Sequence, residues 1–165
     1  MRAVIMGVAG CGKSSVGEGL ARSLNVAYED GDDLHPQDNI DKMSTGIALT
    51  DADRAPWLDL IGQRLGAAKT PLLIGCSALK RSYRDRIRTH AAGPVWFVHL
   101  LGARGVIEAR MAKRAGHFMP VSLLDSQFAT LEPLGADEAG VEVNIDQSLA
   151  QVIAQAGDFL ERTRR

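Results

Sequence analysis

The sequence predicts an α/β fold in which helices cover both faces of a five-stranded parallel sheet. Apolar runs of strand length alternate along the chain with segments of helical periodicity. Two of these runs, residues 71–76 and 95–101, are almost continuously apolar, as strands covered on both faces are. A glycine-rich segment joins the first strand to the first helix. Strands that alternate with helices favour right-handed crossovers and therefore a parallel sheet.

The first half of the chain contains three predicted strands and three predicted helices. The first strand is the apolar run 3–6, and the first helix, 14–24, repeats apolar residues at helical spacing. A short second strand, 26–30, precedes Pro36, which starts a polar helix over 37–44. The capping signal TDAD at 50–53 opens a third helix that runs to about residue 69, and Pro56 is tolerated only in its first turn. The third strand is 71–76.

The second half continues the alternation. A strongly basic helix over 78–90 is followed by the fourth strand, 95–101, and by a helix over 106–114. Another helix begins near Pro120. Alternating apolar residues predict the fifth strand at 141–145, and a last helix runs from about 149 to 162.

Length and composition indicate one ordered domain, residues 1–165. Hydrophobic residues make up 45% and charged residues 24%, which excludes a disordered chain. The formal net charge of -1 offers no general attraction to nucleic acid. Two cysteines suggest no disulfide framework, and we expect neither a signal segment nor an apolar run that spans a membrane. We therefore expect a cytoplasmic protein.

The segment GVAGCGKS, residues 7–14 and called the phosphate loop below, has the GxxxxGKS spacing of a loop that cradles nucleotide phosphates. Its backbone N–H groups and the following helix N-terminus favour negative charge. Lys13 would reach the outer phosphates, and the Ser14 hydroxyl would bind Mg²⁺. The alternative is a glycine-rich turn that a lysine happens to follow. We expect a nucleoside triphosphate to be bound by Gly7, Val8, Ala9, Gly10, Cys11, Gly12, Lys13, Ser14 and Ser15.

The motif DGD follows the second strand, at the sheet edge where parallel sheets bind ligands. Asp30 and Asp32 are two residues apart, so their carboxylates point to the same side of an extended chain. We expect Asp32 to orient and deprotonate the acceptor hydroxyl, and Asp30 to contact Mg²⁺ through its water. Alternatively, both aspartates cap the turn that follows.

His35 and Arg54 are candidate ligands of the acceptor. His35, in DLHP, hydrogen-bonds an acceptor hydroxyl or only fixes the turn. Arg54 lies at a helix start, where a positive charge interacts unfavourably with the helix dipole. Its planar guanidinium group is suited to bind an acceptor carboxylate through two hydrogen bonds. A salt bridge from Arg54 to Asp51 or Asp53 is the alternative.

The segment CSALKRSYRDRIR follows the third strand. Lys80 and Arg84 are four residues apart and share a helix face, where they could hold an anionic acceptor or the migrating phosphoryl group. We expect Arg81 and Arg88 on the surface, and a solvated basic face is the alternative for the others.

Cations surround Gly116 in EARMAKRAGHFMP. We interpret residues 110–125, approximately, as a lid that closes over the phosphates and excludes water, with Arg114 in a catalytic role. Basic residues also favour a helix C-terminus, which explains Arg114 almost as well. The cations of this segment are Arg110, Lys113, Arg114 and His117.

Five stretches, taken in order, resemble the gluconate kinases of the small P-loop kinase superfamily: GVAGCGKSSVGEGLA, DGDDLHPQDNIDKMSTGIALTDADRAPWL, CSALKRSYRDRIR, KRAGHFMPVSLLDSQFATLEP and NIDQSL. The resemblance implies ATP-dependent phosphorylation of D-gluconate at its terminal hydroxyl, giving 6-phospho-D-gluconate. It also implies a three-layer P-loop kinase fold with a mobile lid, like that of shikimate and nucleoside monophosphate kinases. Family members are commonly dimers.

The resemblance also implies residue roles. Gln127 would read acceptor hydroxyls or tie down the lid, and the turn NIDQS resembles the loop beside the adenine. The implied nucleotide and lid contacts are Arg110, Arg114, Asp146 and Gln147. The implied gluconate-binding residues are Asp32, His35, Arg54, Lys80, Arg84, His117 and Gln127.

Three other functions stay open at this point. Another small-molecule kinase, of shikimate or nucleotide type, would share the phosphate loop and the sheet. A nucleotide switch would bind ATP or GTP without transfer, although no guanine-reading NKxD stretch is present. The basic helix is the only feature that favours nucleic acid.

Overall fold

The computed structural model describes residues 1–113 and 121–164. Within them, five parallel strands form one sheet in the order β2-β3-β1-β4-β5, which confirms the predicted α/β class. A short 3₁₀ helix, Gly31–Leu34, follows β2. The strands are β1 (Arg2–Met6), β2 (Ala27–Asp30), β3 (Leu72–Gly75), β4 (Trp96–Leu101) and β5 (Gly140–Asn144). The helices are α1 (Lys13–Leu24), α2 (Gln37–Ser44), α3 (Asp51–Ala67), α4 (Arg81–Ala91), α5 (Arg104–Ala112), α6 (Val121–Thr130) and α7 (Leu149–Arg162).

Helices cover both faces of the sheet because alternate residues of its central strand point to opposite sides. Ala3 and Ile5 of β1 are buried in a core that includes residues of α1 and α7. Val4 and Met6 are buried in a second core, with residues of α3 and α4. The chain therefore folds into three layers. None of the described helices combines the length and apolarity that crossing a membrane requires.

The register of the strands places their carboxyl ends along one edge. Ile5 pairs with Gly75 and Asp30 pairs with Gly75 on the other side, while Met6 pairs with His99. The phosphate loop, the DGD motif and the CSALK segment leave the sheet at this edge. The structure thus confirms the sheet-edge arrangement predicted from the strand order.

The element boundaries agree with the prediction to within two residues except at the start of α4, and the position of Pro56 within its helix also differs. The helix predicted from Ala78 begins at Arg81, because Ala78 has φ +44° and Lys80 is in an extended conformation. Pro56 lies in the second turn of α3, not the first, since the Thr50 capping box starts this helix at Asp51. The first turn is held by reciprocal hydrogen bonds between Thr50 and Asp53.

Candidate active site

The phosphate loop leads directly into the N-terminus of α1. Gly12 has φ +96°, a left-handed conformation that favours glycine. Because α1 begins at Lys13 without a side-chain cap, the N–H groups of its first turn can bind an anion. The Nζ atom of Lys13 donates to the carbonyl oxygens of Gly7 at 3.0 Å and Val8 at 3.1 Å. The ammonium group of Lys13 thus lies against the phosphate loop, where the phosphates of the nucleotide are expected to bind.

Two neighbouring segments hold the phosphate loop. Gly7 N–H donates to the Ser77 carbonyl at 3.3 Å, and Ala9 N–H donates to Oε1 of Gln127 at 2.6 Å. The side chain of Cys11 is fully buried, and burial raises the pKa of its thiol. The loop therefore offers backbone groups to a ligand, and Gln127 connects it to α6.

A cavity of about 160 Å³ brings the phosphate loop together with the DGD motif. Oδ1 of Asp30 accepts from the Asp32 N–H at 2.9 Å, so one oxygen of Asp30 caps the turn, as the alternative interpretation held. The Asp32 side chain is 78% exposed. Partial desolvation raises the pKa of Asp32, and the charge of Asp30 adds to this increase. The cavity is lined by Gly10, Gly12, Lys13, Ser14, Tyr28, Asp30, Asp32, Gly75 and Cys76.

His35 is held in place by an aromatic partner. Its ring stacks on Trp57 with centroids 4.1 Å apart, and Trp57 Nε1 donates to the Gly31 carbonyl at 2.8 Å. His35 Nε2 lies 4.0 Å from Oδ1 of Asp32. Burial lowers the pKa of His35, which Asp32 opposes and Arg54 reinforces. A neutral imidazole therefore lies beside the predicted acceptor-activating carboxylate.

Arg54 and Lys80 meet at Asp51, on the rim formed by the starts of α3 and α4. Lys80 Nζ lies 2.9 Å from Oδ2 of Asp51, and this bond raises the pKa of Lys80. The Tyr83 hydroxyl donates to the same carboxylate. Arg54 Nη1 donates to the Leu49 carbonyl at 2.7 Å and lies 3.9 Å from Asp51, so the salt-bridge alternative is present. Two cations thus share one exposed carboxylate, and the rim keeps an excess of positive charge.

The expectation that Arg84 contacts gluconate is corrected by its surroundings. The Arg84 side chain is 0% exposed and forms a bidentate salt bridge with Glu138, whose side chain is 1% exposed. Its remaining donors bind the backbone carbonyls of Ala78, Leu79, Glu132 and Pro133. Since every guanidinium donor is engaged in the interior, Arg84 offers none to an acceptor. Arg81 lies on the surface as expected and pairs with the exposed Asp137, whereas the Arg88 side chain is only 25% exposed and also pairs with the buried Glu138.

A second cavity, of about 290 Å³, lies beside the phosphate loop and reaches the turn after β5. Arg110 donates to the carbonyl oxygens of Ile145 and Gln147, which ties α5 to this turn. Gln147 Nε2 donates to the Asn144 carbonyl at 2.7 Å, and Asp146 N–H donates to the Asn144 side chain. Residues lining the cavity are Gly10, Gly12, Ser15, Val16, Arg110, Lys113, Ile145, Leu149 and Val152. The predicted nucleotide residues of this part of the chain therefore lie together, while Arg114 and His117 fall outside the described residues.

The oxygen donors around the first cavity suit magnesium. Ser14 and Asp30 both line it, and Mg²⁺ prefers hard oxygen ligands. Within residues 1–113 and 121–164, no group of three or more His, Cys, Asp or Glu side chains is placed to hold a metal. These residues would therefore hold Mg²⁺ only together with phosphate oxygens and water.

Sequence reasoning missed several residues of this edge. Tyr28 lines the first cavity, Asp51 and Tyr83 complete the rim, and Glu138 neutralises Arg84. The sequence indicates Asp51 only as a partner of Arg54. No sequence signal points to Tyr28 or Glu138, because their partners are distant along the chain.

Comparisons with known proteins identify close relatives. No protein-family model matches the chain. A gluconokinase from Gluconobacter oxydans is 49% identical over 145 residues, which cover 86% of this chain and 80% of that protein. The thermosensitive gluconokinase of Escherichia coli is 47% identical over 160 residues, covering 92% of this chain and 83% of that protein. The crystal structure of a gluconokinase from Sinorhizobium meliloti matches with a TM-score of 0.90 at 49% identity, covering 98% of this chain and 92% of that one.

More distant structures share the fold alone. An APS kinase from Mycobacterium tuberculosis has a TM-score of 0.68 at 20% identity, covering 97% of both chains. Shikimate kinase from Aquifex aeolicus has a TM-score of 0.61 at 15% identity, covering 99% of this chain and 98% of that one. Both are kinases, and they support the three-layer kinase fold.

Proposed function

The chain belongs to the gluconokinase family, and on this premise we propose that it transfers the terminal phosphoryl group of ATP to D-gluconate, giving 6-phospho-D-gluconate. The family membership confirms the resemblance of the sequence motifs. The cavity in which Lys13, Ser14, Asp30 and Asp32 meet carries the proposal. Phosphoryl transfer requires phosphate-binding groups beside a group that activates the acceptor, and this cavity combines them.

The proposed mechanism is a direct in-line transfer. The N–H groups at the start of α1 and the Lys13 ammonium hold the outer phosphates and stabilise the charge that develops on the moving group. Asp32 orients the terminal hydroxyl of gluconate and accepts its proton. Its raised pKa makes it a stronger base than an ordinary aspartate, and its carboxylate is open to an incoming acceptor.

Gluconate is proposed to bind between the DGD motif and the rim. Lys80 and Arg54 supply the positive charge for its carboxylate, and a bound carboxylate would compete with Asp51 for both cations. His35, neutral and fixed by Trp57, is suited to hydrogen-bond a hydroxyl. Gln127 and His117 complete the proposed set, with Gln127 placed at the phosphate loop.

The nucleotide is proposed to extend from the phosphate loop into the second cavity. Arg110, Asp146 and Gln147 surround the adenine end, and Arg114 acts on the phosphates from the lid. Ser14 and, through water, Asp30 would hold Mg²⁺. When bound, the ion neutralises phosphate charge and fixes the orientation of the triphosphate.

The chain is further proposed to act as one kinase domain over residues 1–165, with a lid at about 110–125. A cytoplasmic location and the absence of a nucleic-acid partner are proposed from the sequence expectations, and a homodimer is proposed because the family resemblance implies one. The formal net charge of -1 supports the absence of a nucleic-acid partner, since nucleic-acid binding depends on neutralising phosphates.

A panel of acceptors tests the function. Purified protein with ATP and Mg²⁺ is assayed for ADP release with D-gluconate, with glucitol as an analogue that lacks the carboxylate, and with shikimate and AMP. We expect turnover with gluconate, and with glucitol a much lower kcat/KM because the cationic rim then loses its partner. Faster turnover of shikimate or AMP would overturn the acceptor, whereas tight nucleotide binding without any transfer would favour a switch.

A further inference from the structure

The hydroxyl of Tyr28 has no role in the function proposed above. Its Oη atom is buried and makes no hydrogen bond of normal length and angle, and no other buried side-chain N or O atom of residues 1–113 and 121–164 shares this condition. Leaving a buried polar group unpaired destabilises the folded protein, because the group has lost its bonds to water. Since native proteins rarely keep such a group without a reason, the hydroxyl points to a partner that arrives with a ligand.

The Tyr28 ring lies in a slot that two glycines create. A Cβ atom at Gly17 of α1 would lie 2.2 Å from Cε2 of Tyr28. A Cβ atom at Gly75, the end of β3, would lie 2.4 Å from its Oη. Any larger residue at either position would displace the ring. Two elements that are distant in sequence therefore leave room for this side chain and fix the position of its hydroxyl.

Tyr28 also lines the first cavity, together with Ser14, Asp30 and Asp32. Burial raises the pKa of Tyr28, and a weak hydrogen-bonding contact with the Ser14 hydroxyl opposes this increase. With its ordinary pKa of about 10, a phenol is protonated at neutral pH, so it can both donate and accept a hydrogen bond. Its neighbours are the residues proposed to hold magnesium.

We propose that Tyr28 is a positioning residue whose hydroxyl hydrogen-bonds a water molecule of the magnesium ion that enters with ATP. Mg²⁺ keeps several of its waters in protein sites, and such waters need partners on the protein. A neutral hydroxyl beside Ser14 and Asp30 provides one. The inference rests on the proposed function, because the ion accompanies the nucleotide.

Tyr28→Phe tests the role, since it keeps the ring in its slot and removes only Oη. Calorimetric titration with a non-hydrolysable ATP analogue is run with excess Mg²⁺ and again with excess EDTA. For the wild type we expect higher affinity with Mg²⁺. In Tyr28→Phe we expect this magnesium-dependent gain to be smaller by about 3- to 10-fold, as for the loss of one hydrogen bond, with metal-free affinity unchanged. Tyr83→Phe, which removes the chain's other tyrosine hydroxyl, should keep the full gain.

A stability measurement separates this role from a structural one. Because Oη makes no hydrogen bond of normal geometry within the protein, Tyr28→Phe without ligand should unfold at the same urea concentration as the wild type or a higher one. A full magnesium-dependent gain in Tyr28→Phe, or a clear loss of its stability, would overturn the inference alone. A wild type that gains no affinity from Mg²⁺ would overturn the proposed magnesium role together with it.

Discussion

Replacing Arg84 by Met should destabilise the fold and leave the gluconate site intact. The side chain is 0% exposed and its donors bind Glu138 and four backbone carbonyls. Removing one partner of a buried ion pair costs about 3–5 kcal/mol when the other charge is left unpaired; because Arg88 still pairs with Glu138, we expect a loss near the lower end. Domains of this size have a free energy of unfolding of about 5–15 kcal/mol, so the variant would lose a large share of it.

Urea unfolding, followed by the fluorescence of Trp57 and Trp96, measures this loss. The matched control is Arg81→Met on the same helix, because the Arg81 side chain is 45% exposed and pairs with the exposed Asp137. An exposed pair contributes about 0–1 kcal/mol, so the control should unfold close to the wild type. At a temperature where Arg84→Met is folded, its KM for gluconate should stay within about twofold of the wild type, since the guanidinium does not reach the acceptor.

The pH dependence of stability gives a second test of the same pair. The bond to Arg84 holds the pKa of Glu138 well below the ordinary glutamate range. A carboxyl with a lowered folded-state pKa contributes stability that is fully present above its unfolded pKa, about 4.3, and is lost as the pH falls toward the folded value. The free energy of unfolding should therefore decrease below about pH 4, and Glu138→Gln should show a smaller decrease.

A stable Arg84→Met variant with a raised KM for gluconate would refute the structural role and restore Arg84 to the acceptor site.

Three further variants and one control variant test the transfer site. Lys13→Ala should lower kcat by about 10²- to 10³-fold with an unchanged circular dichroism spectrum, and near-normal kcat would exclude its phosphate role. Asp32→Asn should abolish transfer while nucleotide affinity, measured by calorimetry, is retained; in the wild type kcat/KM should fall as the pH drops through the raised pKa of Asp32, because the deprotonated form is the base. If nucleotide affinity fell in parallel, Asp32 would belong to the metal site. Lys80→Met should raise the KM for gluconate but not for glucitol, whereas Arg86→Met, which removes an exposed pair with Asp59, should change neither.

The positions of Lys80 and Arg84 show how far sequence periodicity reaches. A spacing of four residues predicted that both side chains share one helix face. In the structure Lys80 precedes α4 and lies at the rim, while Arg84 turns into the interior. Periodicity predicts which residues share a face but not which face meets the core, and only Glu138, 54 residues further along, decides that question.

Gln127 illustrates a different limit. The family resemblance connected it with the acceptor or the lid, but no spacing rule identified its partner. The structure brings it to the Ala9 N–H, 118 residues away, by packing α6 beside the phosphate loop. A contact of this kind depends on how two elements pack, which no local pattern encodes.

The sequence by itself determined the alternation of strands and helices, the phosphate loop and the grouping of polar motifs at one sheet edge. Those features depend on local backbone preferences and on apolar periodicity, both of which are readable over a few residues. Only the tertiary structure decided that Arg84 is an interior ion-pair partner, that Asp51 occupies the cationic rim, and that Gly17 and Gly75 leave space for Tyr28. Such assignments depend on burial and on contacts between distant segments, and these exist only once the chain has packed.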